Sequence, residues 1–160
     1  MTSMKGIIYP YRIRLRYDGG IETLPLILSR IKYERGEPLT VLCLLDSGAQ
    51  VSLLSKADAD ELNIVLADGE KMVVGGVGGE EIIGYRHNIT IDIGGVSFSA
   101  PAVFAIRDDV PRVLGRDGVF NNFFIIFDEK RRRAALLKYQ AAAITVMEKE
   151  IFSRLPIEPL

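Results

Sequence analysis

The chain is short of the residues on which most enzyme chemistries rely. Its 160 residues include one cysteine, Cys43, and one histidine, His87. A lone cysteine makes no internal disulfide, and within the apolar run Val41-Leu42-Cys43-Leu44-Leu45 it serves as a small hydrophobe rather than a reactive thiol. One His and one Cys make no zinc cluster. A Ser-His-Asp or Cys-His triad would have to use His87, which no nucleophile motif accompanies. His87 shares a strand face with Ile89, Ile91 and Ile93, so a half-buried packing role is expected. Phosphate-binding patterns of the G-x-x-x-x-G-K or G-x-G-x-x-G kind are missing. An excess of one charge is missing too. Lys plus Arg number 20 and Asp plus Glu 21, a net charge of -1 that speaks against nucleic acid or an anionic membrane as a partner. Lys130-Arg131-Arg132-Arg133 is a basic cluster, but no aromatics interleave with it, so it reads as a solvated turn. No apolar run approaches the ~20 residues of a membrane span. The segment from Met1 to Gly6 leads into Ile7-Ile8-Tyr9-Pro10 and alternating Arg12, Arg14 and Arg16 rather than a signal-peptide core, so a soluble cytoplasmic protein is expected.

What the chain has is strands. A chain of this length buries roughly 68–70% of its unfolded surface and needs no disulfide or metal to hold it. Residues 13–17 alternate with period two, Asp18-Gly19-Gly20 turns the chain, and residues 22–31 offer a second run before Glu34-Arg35-Gly36-Glu37-Pro38 turns it again. Residues 39–45 are apolar on both faces, as expected of a strand buried between two layers. Residues 51–54 are strand-like, and Ser55 with Asp58 three residues on predicts an N-cap opening a short helix to about Leu62. Further strands are expected at 71–74, 82–86, 88–93, 96–99 and 102–106, with Gly94-Gly95 as a hairpin turn. Their even spacing argues for a mainly β sandwich or closed barrel. Residues 116–123 are read as a helix weakened by Gly118, 123–127 as an apolar strand, and 131–138 as its returning partner. From Gln140 to Leu155 the spacing of Ile144, Met147, Ile151 and Leu155 predicts a C-terminal helix.

One constellation carries chemistry. Asp46-Ser47-Gly48-Ala49 stands where the apolar strand ends, so a carboxylate is brought to a strand terminus and the backbone then turns sharply. Alone, Asp-Ser-Gly is also what a plain turn looks like, because Asp and Ser satisfy local backbone groups and Gly accepts positive φ. Its context is ordered: a second apolar run follows, then the glycine-rich Gly75-Gly76-Val77-Gly78-Gly79, then Val113-Leu114-Gly115-Arg116-Asp117 and Phe123-Phe124-Ile125-Ile126-Phe127-Asp128. The glycine stretch by itself is equally a flexible hairpin. Taken together, these motifs resemble the retropepsin-like aspartic proteases, over about residues 21–138.

The resemblance implies a retropepsin-like β-barrel domain at 21–138, preceded by a strand segment at 1–20 and followed by a helical appendage at 139–160. It implies Asp46, Ser47 and Gly48 as the catalytic loop, and Ala49, Gly76, Val77, Gly78, Ile82 and Val113 as the substrate-binding residues, with Gly76, Val77 and Gly78 in a flap. No metal or other cofactor is called for. Since only one Asp-Ser-Gly of this kind occurs, the second carboxyl must come from a symmetric partner, so a homodimer acting on peptide is implied. Ser47 stands where many family members have Thr; its hydroxyl is expected to bond across the dimer axis. Gln50 stands where the retroviral enzymes carry an acid that pairs with the Arg of the third motif, so Arg116 is expected to find another partner or to lack this contact. The alternative is a non-catalytic dimerisation or peptide-binding module of the same fold.

Overall fold

Turn residues between short apolar runs cut the chain into strands, and backbone pairing then arranges them. The structure, a computed structural model, describes residues 6–16, 18–75, 79–139 and 142–156. Its strands are β1 (Gly6–Pro10), β2 (Arg12–Leu15), β3 (Ile21–Leu24), β4 (Leu26–Lys32), β5 (Leu39–Leu45), β6 (Ser52–Leu54), β7 (Glu70–Gly75), β8 (Glu81–Ile93), β9 (Val96–Ala105), β10 (Val113–Leu114), β11 (Phe124–Asp128) and β12 (Arg133–Leu137). Six of them close into a barrel in the order β4-β5-β10-β6-β9-β8, with β8 returning to β4 through Arg30↔Asp92, Ile31↔Ile91 and Lys32↔Thr90. The protein is thus mainly β, as the even strand spacing predicts.

Strand alternation fills the barrel from the inside. Ile27 and Ile31, Val41, Cys43 and Leu45, and Ile89, Ile91 and Ile93 all point inward and are buried together with Phe104 and Leu114. Outside the closure, β7 pairs with the first half of β8 as a hairpin arm. The segment β1 pairs with β12, and β12 with β11, in a separate three-stranded sheet, while β2 and β3 form a two-stranded ribbon.

Several expectations need correction. The run at 22–31 is two strands, broken at Pro25, whose carbonyl accepts the Leu45 N–H at 3.0 Å. The strands expected at 82–86 and 88–93 are one long strand, β8, and those at 96–99 and 102–106 are one strand, β9. Pro101 does not interrupt β9 because the pairing with β6 begins only at Ala102, leaving β8 alone alongside. Strand β5 is not buried between two layers: its outward Leu42 is 38% exposed and pairs with Leu28, which is 47% exposed. A barrel covers only the inner face of its wall, so the second apolar face of β5 looks outward. Residues 116–123 form turns and one 3-10 turn at Phe120–Asn122 instead of a helix. Gly118 breaks the helix there, with φ +74 and a backbone so close to Ala100 that a Cβ would lie 2.7 Å from it.

The predicted capping box is present. Helix α1 (Lys56–Glu61) opens with Ser55 Oγ accepting the Asp58 N–H at 3.2 Å and Asp58 Oδ2 accepting the Ser55 N–H at 3.0 Å. At the C-terminus α2 (Ala142–Met147) continues into a π-helical turn at Glu148–Phe152. Ile144 is buried and Phe152 meets Phe124 edge to face at 6.0 Å, but Ile151 and Leu155 of the apolar stripe stay exposed. Among the described residues no helix is long and apolar enough to cross a membrane.

Asp58 does more than cap. It is 1% exposed and carries a two-pronged ion pair with Arg112, whose Nε and Nη2 approach its oxygens at 2.8–3.1 Å. Burial alone would raise its pKa, but the Arg112 guanidinium and the Ser55 hydrogen bonds outweigh that and hold the carboxyl below its ordinary 3.8. A depressed folded-state value contributes stability above the unfolded value, and that contribution is lost as pH falls through the folded one. Asp58→Asn is therefore expected to cost about 1–3 kcal/mol near neutral pH, short of a fully buried pair because Arg112 stays partly solvated. The gap to wild type should close as the pH falls below 3.8, measured by urea unfolding across pH.

Candidate active site

Where β5 ends, its last backbone groups need partners, and β10 supplies them. This two-residue strand lies parallel to β5 (Val113↔Leu44, Leu114↔Leu45) and antiparallel to β6 (Val113↔Leu53). The Asp46 N–H donates to the Leu114 carbonyl at 3.1 Å, so the half-buried Asp46 is the first residue past the barrel wall. Its Oδ1 accepts the Gly48 N–H at 2.8 Å, and its carbonyl accepts the Ala49 N–H at 3.3 Å. The acid thus folds its own loop back, an Asx-type turn that orients the carboxyl. Ser47 and Gly48 are exposed at its tip.

The far side of the loop is held as firmly. Arg116 N–H donates to the Ala49 carbonyl and Asp117 N–H to the Gln50 carbonyl, each at 2.9 Å. Gly115 N–H donates to the buried Ser52 Oγ at 3.1 Å. A Cβ on Gly115 would come within 2.4 Å of the Val51 backbone, so only glycine lets the two segments approach. Arg116 does have a partner. Gln50 Oε1 accepts from Arg116 Nη2 at 2.9 Å, while Gln50 Nε2 donates to Asp117 Oδ1 at 2.5 Å. An amide offers both an acceptor and a donor, so Gln50 satisfies the cation and the acid next to it, which a carboxylate cannot do.

Beside this loop lies an apolar cluster distinct from the barrel core. Leu53, Val103, Ala105 and Val113 are buried in it, and Leu44, Ala49, Val51, Met72, Val74, Ile82 and Val110 pack against them. Three of the expected substrate-binding residues, Ala49, Ile82 and Val113, therefore meet in one place. Gly76, Val77 and Gly78 lie outside the described residues; the arms that lead to them, β7 and the start of β8, are paired through Val74↔Ile82 and Gly75↔Glu81.

The other titratable candidates have structural roles. Burial, aided by the nearby Asp58 charge, pushes the Cys43 thiol up to about 12, so it is no nucleophile. His87 is buried, its Nε2 lies 3.1 Å from the Leu66 carbonyl, and its ring meets Tyr33 and Phe104 edge to face. Arg131 and Arg133 pair with Asp128, and Arg132 with Glu129, as a solvated turn would have it. Among the described residues no three His, Cys, Asp or Glu side chains converge as metal ligands.

The family model described as aspartyl protease matches residues 32–118, from the end of β4 through the Asp46 loop to Gly118. The chain belongs to the aspartyl protease family. Among solved structures it is similar to a retropepsin-like aspartic protease from Rickettsia conorii, with 19% identity over 82% of this chain and 98% of that one and a TM-score of 0.56, a likeness of fold. It is also similar to the EIAV protease complexed with the inhibitor HBY-793, with 28% identity over 59% of this chain and 84% of that one and a TM-score of 0.46. No match is found among curated proteins.

For this aspartyl protease chain the expectation that Arg116 would need a partner other than Gln50, or go without, is overturned: the amide keeps the contact that the family's acid makes and adds one to Asp117. Nothing in the sequence marked Arg112. The tight fit at Gly115 yields a stability test. Gly115→Ala is expected to push β10 off Val51 and destabilise the fold by about 1–3 kcal/mol, seen as a lower urea midpoint, whereas Gly95→Ala, with open space around its Cβ position, reports the cost of backbone strain alone.

Proposed function

We propose that the protein is an aspartic endopeptidase that hydrolyses peptide bonds as a symmetric homodimer, with one Asp46 from each chain. The observation that carries this reading is the Asp46 carboxyl, set at the barrel rim with Oδ1 held by the Gly48 N–H, beside the apolar cluster of Ala49, Ile82 and Val113. Membership of the aspartyl protease family supports it.

Across a two-fold axis the two Asp46 carboxyls share one proton. The ionised member takes a proton from water while the protonated member donates to the peptide carbonyl, and water adds to give a gem-diol. Return of a proton to the amide nitrogen breaks the C–N bond and regenerates the pair. The Ser47 hydroxyls bond across the axis and lock the loops. The hairpin of β7 and β8, whose connection carries Gly76, Val77 and Gly78, closes over a peptide bound as an extended strand. Apolar side chains flanking the cleaved bond seat against Ile82 and Val113. Residues 21–138 make the protease unit, with 1–20 and 139–160 as appendages.

Asp46→Asn is expected to fold and dimerise as wild type does while cleavage of a mixed peptide library falls by at least about 10²–10⁴-fold, the range of general acid–base contributions. Specific activity of wild type should also fall on dilution as the dimer dissociates. Undiminished cleavage by Asp46→Asn sinks the proposal. Peptide binding with no cleavage by either protein would establish the non-catalytic module instead.

A further inference from the structure

One wall of the apolar cluster beside the Asp46 loop is fastened by a side chain that no motif contains. Between β9 and β10 the chain passes through irregular backbone from Ile106 to Arg112, and Val110 from this segment packs in the same cluster as Val113. Irregular backbone has no ladder to stiffen it, so its position depends on side-chain and terminal fixings. Asp108 Oδ1 accepts the Ala57 N–H at 2.6 Å in the first turn of α1. The Arg112 carbonyl accepts the Leu44 N–H at 2.8 Å, two residues before Asp46. The Arg112 guanidinium reaches the other way, with Nε 3.1 and 2.9 Å from the two Asp58 oxygens and Nη2 at 2.8 Å. Asp58 is itself immobilised by the Ser55 N–H and hydroxyl at 3.0 and 2.9 Å. One residue therefore joins α1, this wall and β5, the strand that leads into Asp46.

We propose that Arg112 is a positioning residue for peptide hydrolysis: its grip on Asp58 sets where Val110 and Val113 stand relative to the Asp46 loop, and so how the side chains beside the cleaved bond fit. The proposal rests on the reading of Asp46 as hydrolytic. Arg112 acts through the wall and not on the reacting atoms. The planar fork matters beyond its charge, because a lysine keeps the charge but makes only a point contact where the fork makes two directed bonds.

Acid conditions test the arrangement. The groups around the Asp58 carboxyl are Ser55 on α1, Arg112 on the wall and Cys43 on β5, whose thiol burial keeps neutral. Asp108, Arg14 and Arg112 line the adjoining groove with Ser55, and Lys56 is occupied by Asp60. Arg112 stays charged throughout, so loss of the clamp follows protonation of Asp58. That protonation is delayed below the ordinary carboxylate range, which keeps the wall in place until the medium is more acidic than an exposed carboxylate would allow.

The test measures kcat and KM for wild type, Arg112→Lys, Arg112→Gln and Asp58→Asn on one peptide substrate from about pH 3 to 7. The expected result is a fall in kcat/KM of about 10- to 100-fold for Arg112→Gln, with KM carrying the larger share, partial recovery in Arg112→Lys, and a rise of wild-type KM at low pH that Arg112→Gln lacks. A purely structural role lowers the active fraction instead, so a reduced kcat with unchanged KM overturns the proposal. Amide hydrogen exchange gives a second readout. The Leu44 and Ala57 amides, which donate to the Arg112 carbonyl and to Asp108, should lose protection in Arg112→Gln while β8 and β9 keep theirs, and should do so first in wild type as the pH falls. If the variant does not fold, the wild-type series decides, and simultaneous loss at Leu44, Ala57, β8 and β9 overturns the proposal. If wild type shows no Asp46-dependent cleavage, the hydrolytic reading fails on that result, whereas hydrogen exchange still reports whether Arg112 fixes the wall.

Discussion

The loop that carries Asp46 depends on a strand of two residues. Val113 and Leu114 insert between β5 and β6, parallel to one and antiparallel to the other. Buried backbone groups must be paired, and this insertion pairs those at the end of β5 that the barrel would otherwise leave open. Leu114 takes the Asp46 N–H, while Arg116 and Asp117 donate to the carbonyls of Ala49 and Gln50. The segment fits only because Gly115 has no side chain to strike the Val51 backbone. The position of the acid is thus set by main-chain geometry, with its own carboxyl contributing the last turn through Gly48.

One strand serves two environments. Val41, Cys43 and Leu45 of β5 face the barrel core, while Leu44 faces outward and joins the cluster of Val113, Ile82 and Ala49. Because successive side chains alternate, the packing that makes the barrel rigid also supports this outer cluster from behind, one residue away. Around this apolar surface the charges are matched in pairs: Gln50 between Arg116 and Asp117 at the loop edge, and Arg112 on Asp58 behind the wall. A loop pinned to strands in this way holds its geometry better than a free one.

Much of this was legible beforehand. The apolar run ending in Asp46-Ser47-Gly48-Ala49 marked the strand-end acid, because strand periodicity and turn chemistry act within a few residues. Ser55 and Asp58 marked the helix start for the same reason, their capping box being local. The family resemblance then pointed to Ala49, Ile82 and Val113, which share one cluster although the chain separates them widely. Readings that failed did so where neighbours outweighed local pattern. Leu42 looked like a core residue and is exposed, since apolarity does not reveal that a wall closes into a barrel with one covered face. Residues 116–123 had helical character, but the backbone crowding at Ala100 requires Gly118 at positive φ.

By itself, then, the sequence determined the strands, the turns and a carboxylate at the end of an apolar run, all products of alternation and backbone preference over short stretches. Tertiary structure alone decided what that carboxylate stands against. Gln50 finds Arg116 across 66 residues of chain, and Arg112 finds Asp58 across 54. Such pairs have no period, and the motif that holds Arg116 does not say that an amide can meet it. They exist because barrel closure brings remote backbone segments together, and the polar groups carried there must be satisfied by whatever closure places beside them.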